Sequence, residues 1–379
     1  MIYLDNAATT NTSPEILDAY YDLVNKLYMN TSSIHQGGIQ SLKLLTKARD
    51  QIASLFGVLS NEVIFTSCAT ESNNLAIKGV ALQYKNRGKH LITSSIEHPS
   101  VLNAFIQLRD LFGFDLTILP VNSEGIVEPS VLESNMRNDT ILVSIICVNN
   151  EVGSINDIGA LADIVHKYPK CFFHSDTTQA IGKINDIPYN KLDLFVLSAH
   201  KLHGLKGSGA LIKKKNIELV PLLSGGGQEF GLRSGTNDFQ KEVILAKTLR
   251  LALENQNKEY QHAKMLFDYA YNKFVEMEDE ISINSSKDGS PFIINVSFKN
   301  KKSSVIVEGL SANEIMVSTT SACSSKKEAH SYVLEAMGKS KQEYSNSIRL
   351  SFDLKNTKEE IDIFFNCLRK LIDDLKNNK

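Results

Sequence analysis

Apolar and polar positions follow two spacings over the first two thirds of the chain. Short apolar runs with β-branched residues are bounded by polar residues, and segments with apolar positions at helical spacing separate most of them. The predicted strands are Glu62 to Ser67, His90 to Ser94, Asp115 to Leu119, Thr140 to Cys147, Cys171 to Ser175 and Leu194 to Ser198. Alternation of strands with helices predicts an α/β fold with a mostly parallel sheet flanked by helices on both faces.

The helical segments carry start and stop signals. A cap and a first-turn proline in Thr12-Ser13-Pro14-Glu15 start one helix, and Ile39 to Phe56 ends at Gly57. Glu71 to Leu82 is also predicted to be helical. A long polar segment without proline or glycine, Asp238 to about Lys273, predicts a helix that links two domains.

The pattern after this long helix predicts a smaller α+β domain. Its segments are Phe292 to Phe298, Ser303 to Leu310, Ser347 to Phe352 and a final helix from Thr357 onwards. We expect residues 12–255 to form the large domain. Residues 1–11 and 256–379 are expected to form the small one.

Composition excludes several classes of partner. The 379 residues carry a formal net charge of −2, so no strong field attracts nucleic acid or membrane. No apolar stretch approaches the roughly 20 residues that span a bilayer, and the first residues do not form a signal peptide. Five scattered cysteines without a CxxC pair are typical of reduced thiols in a cytoplasm, and predict neither disulfides nor a metal site.

Two predicted neighbouring strands end in an acid and a lysine. One strand ends at Asp176, with Gln179 one turn later, and the next ends in Ser198-Ala199-His200-Lys201. Active sites of parallel sheets lie at these carboxyl ends. An acid and a lysine there favour pyridoxal 5′-phosphate, held covalently by the lysine while the acid keeps the pyridinium nitrogen protonated. The alternative is a solvated loop lysine.

Two further strand ends could bind the same cofactor. Thr66 to Asn74 runs from a strand into a helix start, where backbone N–H groups and the helix dipole favour an anion such as phosphate. The alternative is an ordinary helix cap. His98 follows another strand and could stack on a ring or move protons, although a surface histidine at a turn would look the same.

Other polar groups remain ambiguous by themselves. Asn149 and Asn150 could bind a phenolic oxygen or a carboxylate, or form only a turn. Arg349 could bind a carboxylate through two hydrogen bonds, or form a structural ion pair. The glycines after Lys201 and in Gly225 to Thr236 permit close approach of a ligand, or form surface turns. Their spacing matches neither the dinucleotide fingerprint nor the P-loop.

Cys323 differs from the other four cysteines. It lies in the small, polar segment Ser318 to Lys327, where flanking lysines favour the thiolate. The other cysteines lie mostly in apolar surroundings, where a thiol is inert. The segment therefore predicts a reactive thiol, with an adventitious surface cysteine as the alternative.

Taken together, these segments resemble the cysteine desulfurases, in the class V aminotransferase group of fold-type I pyridoxal-phosphate enzymes. The resemblance covers essentially the whole chain, and the order of the segments makes it specific. The matching segments are Leu4 to Thr10, Ser67 to Asn74, Glu97-His98, Asn149 to Glu151, Asp176 to Gln179, Ser198 to Lys201, Gly225 to Thr236, Ser321 to Cys323 and Ser347 to Arg349. It implies an aspartate aminotransferase-like fold with a seven-stranded sheet.

For the cofactor, the resemblance implies that Lys201 holds pyridoxal phosphate and later moves the Cα proton, while His98 stacks on the ring. Asp176 would pair with the pyridine nitrogen and Gln179 with the ring oxygen O3′. The implied phosphate contacts are Ala69, Thr70, Ser198, His200 and, across a homodimer, Thr236.

For the reaction, the resemblance implies that Asn150 lies beside the ring and substrate, that Arg349 binds the carboxylate of L-cysteine, and that Cys323 attacks the substrate sulfur. L-Alanine and a Cys323 persulfide result, and the sulfur passes to an iron–sulfur scaffold or a tRNA-thiolation protein. Alternatives are a selenocysteine lyase, a class V aminotransferase, and a scaffold protein that binds no cofactor.

Some positions depart from the common family pattern. Met29 to Ser33 replaces Gly-Asn-Pro-Ser-Ser, and Phe230 stands where an arginine is common. Lys326, Lys327 and His330 alter the cysteine segment, and the chain ends without the longer tail that some members use for scaffold docking. These departures leave the identity of the sulfur acceptor open.

Overall fold

A central sheet with helices on both sides organises the computed structural model, which describes residues 1–319 and 330–377. The helices are α1 (Pro14–Lys26), α2 (Gln36–Phe56), α3 (Ala69–Tyr84), α4 (Pro99–Phe112), α5 (Pro129–Asn135), α6 (Ile158–Val165), α7 (Phe239–Val275), α8 (Ser303–Ala312), α9 (Tyr332–Ala336), α10 (Lys341–Ser345) and α11 (Lys358–Asn377). The strands are β1 (Ile2–Tyr3), β2 (Val63–Thr66), β3 (His90–Ser94), β4 (Asp115–Leu119), β5 (Thr140–Ser144), β6 (Phe172–Asp176), β7 (Leu194–Ser198), β8 (Gly209–Lys213), β9 (Ile281–Ile283), β10 (Ile293–Phe298), β11 (Ile315–Met316), β12 (Ser318–Thr319) and β13 (Ser347–Ser351).

The large sheet has seven strands in the order β2-β8-β7-β6-β5-β3-β4. β3 pairs in parallel with β4 and β5, and β5, β6 and β7 continue the parallel pairing. Only β8 runs antiparallel to its neighbours, β2 and β7. The predicted mostly parallel sheet is therefore confirmed.

β8 corrects one interpretation of the sequence. The glycines after Lys201 are expected to form turns or a ligand loop, yet Gly209 begins β8 and pairs with Ser198 of β7 and Thr66 of β2. A Cβ at this position would lie 2.8 Å from the Leu197 carbonyl oxygen and 3.0 Å from the Cys68 Cα. Gly209 thus permits close strand packing rather than ligand binding.

The predicted bounds of other elements hold with small changes. β3, β4 and β7 have the predicted ends, whereas β5 stops at Ser144, three residues before its predicted end. α2 begins earlier than predicted because the His35 side chain caps it, accepting a hydrogen bond from Gly38 N at 3.2 Å. α7 extends to Val275.

A second sheet forms the smaller part of the molecule. β12, β13, β10 and β9 are antiparallel, and β1 pairs in parallel with β11. The helix α7 packs against both sheets. Ala263 belongs to the core around the large sheet, and Leu266 belongs to the core around the small sheet. The N-terminal segment does the same between Leu4 and Ala7. The large and the small sheet thus have separate cores among the described residues, while the division into two domains at residue 255 stays a prediction.

None of the helices within 1–319 and 330–377 combines the length and the apolar character needed to cross a membrane.

Candidate active site

A cavity of about 310 Å³ lies at the carboxyl ends of β6 and β7, bounded by the start of α3 and by β13. Most of the predicted site residues line it. They are Ala69, Thr70, His98, Asn150, Asp176, Gln179, His200, Lys201 and Arg349. The β6–β7 register explains part of this convergence, since it places Asp176 opposite Val196, two residues before β7 ends.

Lys201 ends a short 3₁₀ turn, Ala199–Lys201, that directly follows β7. Its Nζ donates to the carbonyl oxygens of Ala7 at 2.6 Å and Ala8 at 2.7 Å. Both alanines also line the cavity. The N-terminal segment thus holds the amine at the cavity wall.

Asp176 is a nearly buried carboxylate with 5% of its surface exposed. Oδ2 accepts from Asn73 Nδ2 at 2.7 Å and Oδ1 accepts from Thr178 N at 3.0 Å. Two fixed donors hold its orientation, and the carboxylate can accept a further hydrogen bond. This arrangement can bind a protonated ring nitrogen.

His98 caps the start of α4. Its Nδ1 accepts from Ser100 N at 3.2 Å, so the neutral ring carries its proton on Nε2. Burial lowers the pKa of His98, Asp176 counteracts that effect, and Lys201 lowers the pKa further. The ring is therefore a neutral aromatic group with one N–H donor.

The start of α3 forms the anion-binding wall of the cavity. Cys68 occupies the cap position but makes no side-chain capping hydrogen bond. The first turn of this 16-residue helix lines the cavity at Ala69 and Thr70, and the free N–H groups of a first helical turn favour an anion. Nearby, burial lowers the pKa of His200 to about 4, and Lys201 lowers it in the same direction. A neutral His200 adds a polar group that can bind phosphate.

Arg349 lies on β13 and reaches the cavity from the small sheet. Its Nη1 donates to the Asn150 carbonyl oxygen at 2.7 Å, and its Nη2 forms an ion pair with Asp5 Oδ1 at 2.8 Å. Nε is buried and has no hydrogen-bond partner among the described residues. Arg349 is thus held rigidly and retains an unused donor.

Two of the described site residues, Ser198 and Thr236, do not line the cavity, and a third predicted residue lies outside the described part of the chain. Ser198 is buried outside its lining, and its Oγ lies 3.5 Å from the Ser208 carbonyl oxygen. Thr236 is exposed and also outside the lining. Cys323 lies outside the described residues, between Thr319 and Tyr332, which both line the cavity.

Sequence reasoning missed several residues that shape this cavity. Asn73 orients Asp176 from a position 103 residues away. Glu151 lines the wall, is hydrogen-bonded by Ser331 Oγ, and has its pKa raised to about 7 by burial. The matching segments Ser67 to Asn74 and Asn149 to Glu151 contain these residues, but spacing alone assigns them no partner.

The described cysteines divide by exposure. Cys147 and Cys171 are buried, and burial raises the pKa of both thiols. Cys367 is partly exposed on α11, whereas Cys68 lines the cavity. The prediction of mostly apolar surroundings therefore describes Cys147, Cys171 and also Cys367, which packs against the core of the small sheet, and Cys68 is the exception.

Comparison with known proteins gives a consistent result. The family model "Aminotransferase class-V" matches residues 2–364. A "NifS/IcsS protein homolog" from Lactobacillus delbrueckii subsp. bulgaricus is 42% identical over 368 residues, 96% of this chain and 95% of its own length. "Cysteine desulfurase IscS" from Dictyoglomus turgidum is 38% identical over 377 residues, 99% of this chain and 95% of its own.

A solved structure described as a "NIFS-LIKE PROTEIN" is similar with a TM-score of 0.92 and 35% identity, over 98% of this chain and 99% of the other. Both the sequence and the fold thus match over nearly their whole length. The chain belongs to the class V aminotransferase family, with homologues that are cysteine desulfurases.

Proposed function

We propose that this protein is a pyridoxal-phosphate-dependent cysteine desulfurase, which converts L-cysteine to L-alanine and carries the released sulfur as a persulfide on Cys323. One observation carries the proposal. A single cavity gathers an amine (Lys201), a fixed carboxylate (Asp176), a neutral imidazole (His98) and a guanidinium (Arg349) at the carboxyl ends of parallel strands.

The cavity residues fit pyridoxal phosphate. The uncapped start of α3 offers N–H groups for the phosphate, Asp176 offers a carboxylate for the ring nitrogen, and Lys201 offers the amine that holds the aldehyde carbon. When bound, pyridoxal phosphate supplies an electron sink for negative charge at the Cα of an amino acid.

Lys201 and Arg349 divide the handling of the substrate. Arg349 binds the carboxylate of L-cysteine, because its rigid guanidinium lines the cavity and each Nη carries a second N–H beside the one that holds Asn150 or Asp5. Lys201 Nζ removes the proton from Cα. Its position at the end of a rigid strand and turn limits its movement, which favours proton transfer at a defined distance.

Cys323 takes the sulfur. Its thiolate attacks the substrate sulfur and forms the S–S bond, the Cβ–S bond breaks with its electron pair left on carbon, and a proton on Cβ completes L-alanine. The sum is L-cysteine plus a thiol giving L-alanine plus a persulfide. Thr319 and Tyr332, on either side of the segment that contains Cys323, line the cavity, which supports this assignment.

Intact mass spectrometry after incubation with L-cysteine tests the proposal. We expect a gain of one sulfur atom, located on Cys323 by peptide mapping and absent from Lys201→Ala and Cys323→Ser. Cys367→Ser is the matched control for a partly exposed thiol and should still gain sulfur. Bound cofactor without any sulfur gain would exclude a desulfurase, and sulfur on Cys68 would overturn the assignment of Cys323.

The mass spectrum and two further measurements separate the alternatives. An aminotransferase would require a keto-acid acceptor and form no persulfide. A selenocysteine lyase would prefer selenocysteine over cysteine in direct competition. A scaffold protein that binds no cofactor would show no cofactor absorbance.

We also propose the finer features of the enzyme. It acts in the cytoplasm as a homodimer in which Thr236 contacts the phosphate of the partner subunit. Its persulfide donates sulfur to an acceptor protein for iron–sulfur cluster assembly or tRNA thiolation. The exposed position of Thr236 supports its proposed contact with the phosphate of the partner subunit, since a contact across an interface requires an accessible side chain.

A further inference from the structure

Lys183 is a buried cation to which the mechanism above gives no task. It lies in the turn after β6, four residues beyond Gln179, and has only 7% of its surface exposed. Its Nζ donates to Gln179 Oε1 at 2.9 Å and lies 5.8 Å from the centre of the Phe292 ring. Burying an ammonium group costs free energy unless its donors are used. The hydrogen bond to Gln179 therefore indicates the role of Lys183.

Gln179 has an amide whose two ends bind different partners. Nε2 donates to the Ala7 carbonyl oxygen at 3.0 Å, while Oε1 accepts from Lys183. A side-chain amide can rotate by half a turn, which exchanges donor and acceptor. Protonated Lys183 can only donate, to Oε1, and the Ala7 carbonyl oxygen can only accept, from Nε2, so together they exclude the rotated state. Nε2 retains a second hydrogen, and Gln179 lines the cavity.

Lys183 changes its charge near neutral pH. Burial lowers its pKa to about 7, and Lys201 adds to this effect while Glu259 opposes it. The titratable and charged groups that face Lys183 are Lys201, Glu259, Arg349, Asp353, His200 and His203. When protonated, Lys183 makes a charge-assisted hydrogen bond that is stronger than the neutral one.

We propose that Lys183 is a positioning residue, which holds the Gln179 amide so that its N–H donor, rather than its oxygen, is presented to the phenolic oxygen of the bound cofactor. The inference rests on the proposed function, because the orientation of Gln179 matters only if the cavity binds pyridoxal phosphate. It assigns Lys183 no contact with substrate or cofactor.

The absorbance of the bound cofactor, titrated with pH in the absence of substrate, tests this role. Lys183→Met removes the donor and the charge at similar length. We expect its spectral midpoint to move by about half a pH unit or more, and the dissociation constant of the cofactor to rise about tenfold. Lys213→Met is the matched control, because Lys213 is also 7% exposed and donates to the Ile217 carbonyl oxygen at 2.8 Å. It should keep the wild-type spectrum.

A double-mutant cycle separates positioning from general damage. In a Gln179→Leu background, Lys183→Met should cause no further spectral shift, because the group through which it acts is gone. A full additional shift in that background, or an unshifted Lys183→Met holoenzyme, would overturn the inference.

Lys183→Arg provides a second variant in case Lys183→Met does not fold. Arginine keeps a charged donor for the Gln179 oxygen at every pH, so this variant should retain the spectral midpoint that Lys183→Met shifts. A midpoint moved as far as in Lys183→Met would contradict the role. Should the wild-type protein bind no cofactor at all, the proposed function fails, and the role of Lys183 fails with it.

Discussion

The pKa of the Glu97 carboxyl depends strongly on its buried surroundings. It is fully buried, and Oε1 accepts both from Ser94 Oγ at 2.6 Å and from Ile146 N at 2.7 Å. Burial raises its pKa from the ordinary 4.5 to about 8, although these hydrogen bonds counteract the effect. The folded protein thus keeps a proton that the unfolded chain releases.

We expect this proton to make stability depend on pH. Between pH 4.5 and 8 the unfolded chain has lost the proton and the folded chain has not, so the free energy of unfolding falls as pH rises, by at most about 1.4 kcal/mol for each unit from this group. Glu97→Gln keeps the Oε1 acceptor and removes the ionisation, so its profile should be flatter. Urea unfolding of cofactor-saturated protein from pH 5 to 8.5 measures this.

Glu124→Gln, at an exposed position, is the control and should follow the wild-type profile. Parallel profiles for Glu97→Gln and wild type would contradict the assigned proton.

At the scale of single residues, the sequence predicts which side chains are reactive better than it predicts which residues they contact. Lys201 and Asp176 could be predicted because each ends an apolar strand, and such ends meet at one edge of the sheet. Lys183 could not, since a lysine in a turn looks solvated until the fold buries it. The link from Asn73 to Asp176 depends on packing between α3 and β6, which the local pattern does not contain.

Among the elements, β8 is the least expected and the most constrained. It passes between β2 and β7 where both strands end at the cavity, and Gly209 pairs with the last residue of each. The added Cβ of any other residue would meet backbone atoms of Leu197 and Cys68 rather than a flexible side chain. Cys68 immediately precedes α3, so the start of that helix depends on this contact.

Gly209→Ala should therefore displace the start of α3. We expect a loss of about 1–3 kcal/mol in the free energy of unfolding from overpacking, together with weaker cofactor binding. Gly159→Ala in α6 is the matched control, since its Cβ would meet only the side chains of Asp157 and Pro188, at 3.3 and 3.7 Å. Urea unfolding and cofactor titration measure both effects. An equal response of the two variants would contradict the argument.

Element types were predictable where a period persisted over many residues. α2 has a long run at helical spacing and α7 a long segment without proline or glycine, and both helices are present, although α2 begins three residues before its predicted start. The sequence did not predict β8, because Gly204 and Gly207 precede it, Gly209 begins it, and glycines are typical of turns. Two-residue strands such as β1 and β12 are too short for a period to appear, and only their pairing defines them.

On the scale of the whole molecule, nine of the 18 large apolar side chains that are exposed among the described residues lie in two segments. The exposed members are Leu17, Tyr21, Tyr28, Ile34, Ile39 and Leu42 in the first segment and Leu222, Leu223 and Phe230 in the second. Arg49 of α2 connects the segments, as its guanidinium lies 5.0 Å from the centre of the Phe230 ring. Such exposure in a protein of this size supports an interface with a second copy.

Charges introduced in the first segment should dissociate the proposed dimer. Tyr28 and Ile34 are 74% and 96% exposed, so Tyr28→Glu with Ile34→Glu should leave the fold intact while placing unpaired carboxylates in the interface. Light scattering should then give the mass of one 42.1 kDa chain rather than two. Cofactor retention should also fall, because Thr236 would no longer reach the partner's phosphate.

Leu111→Glu, 70% exposed on α4, is the matched control and should remain dimeric. A dimeric double variant, or a monomeric Leu111→Glu protein, would contradict this interface.

The burial of Cys147 and Cys171 has a consequence for the chemical durability of the molecule. An enzyme that carries sulfane sulfur is exposed to oxidants and to thiol exchange, both of which act on accessible thiolates. Two of its thiols are sealed in the core as neutral groups, where neither a persulfide nor a peroxide can reach them. We therefore expect such modification at accessible thiols, with Cys147 and Cys171 left unmodified.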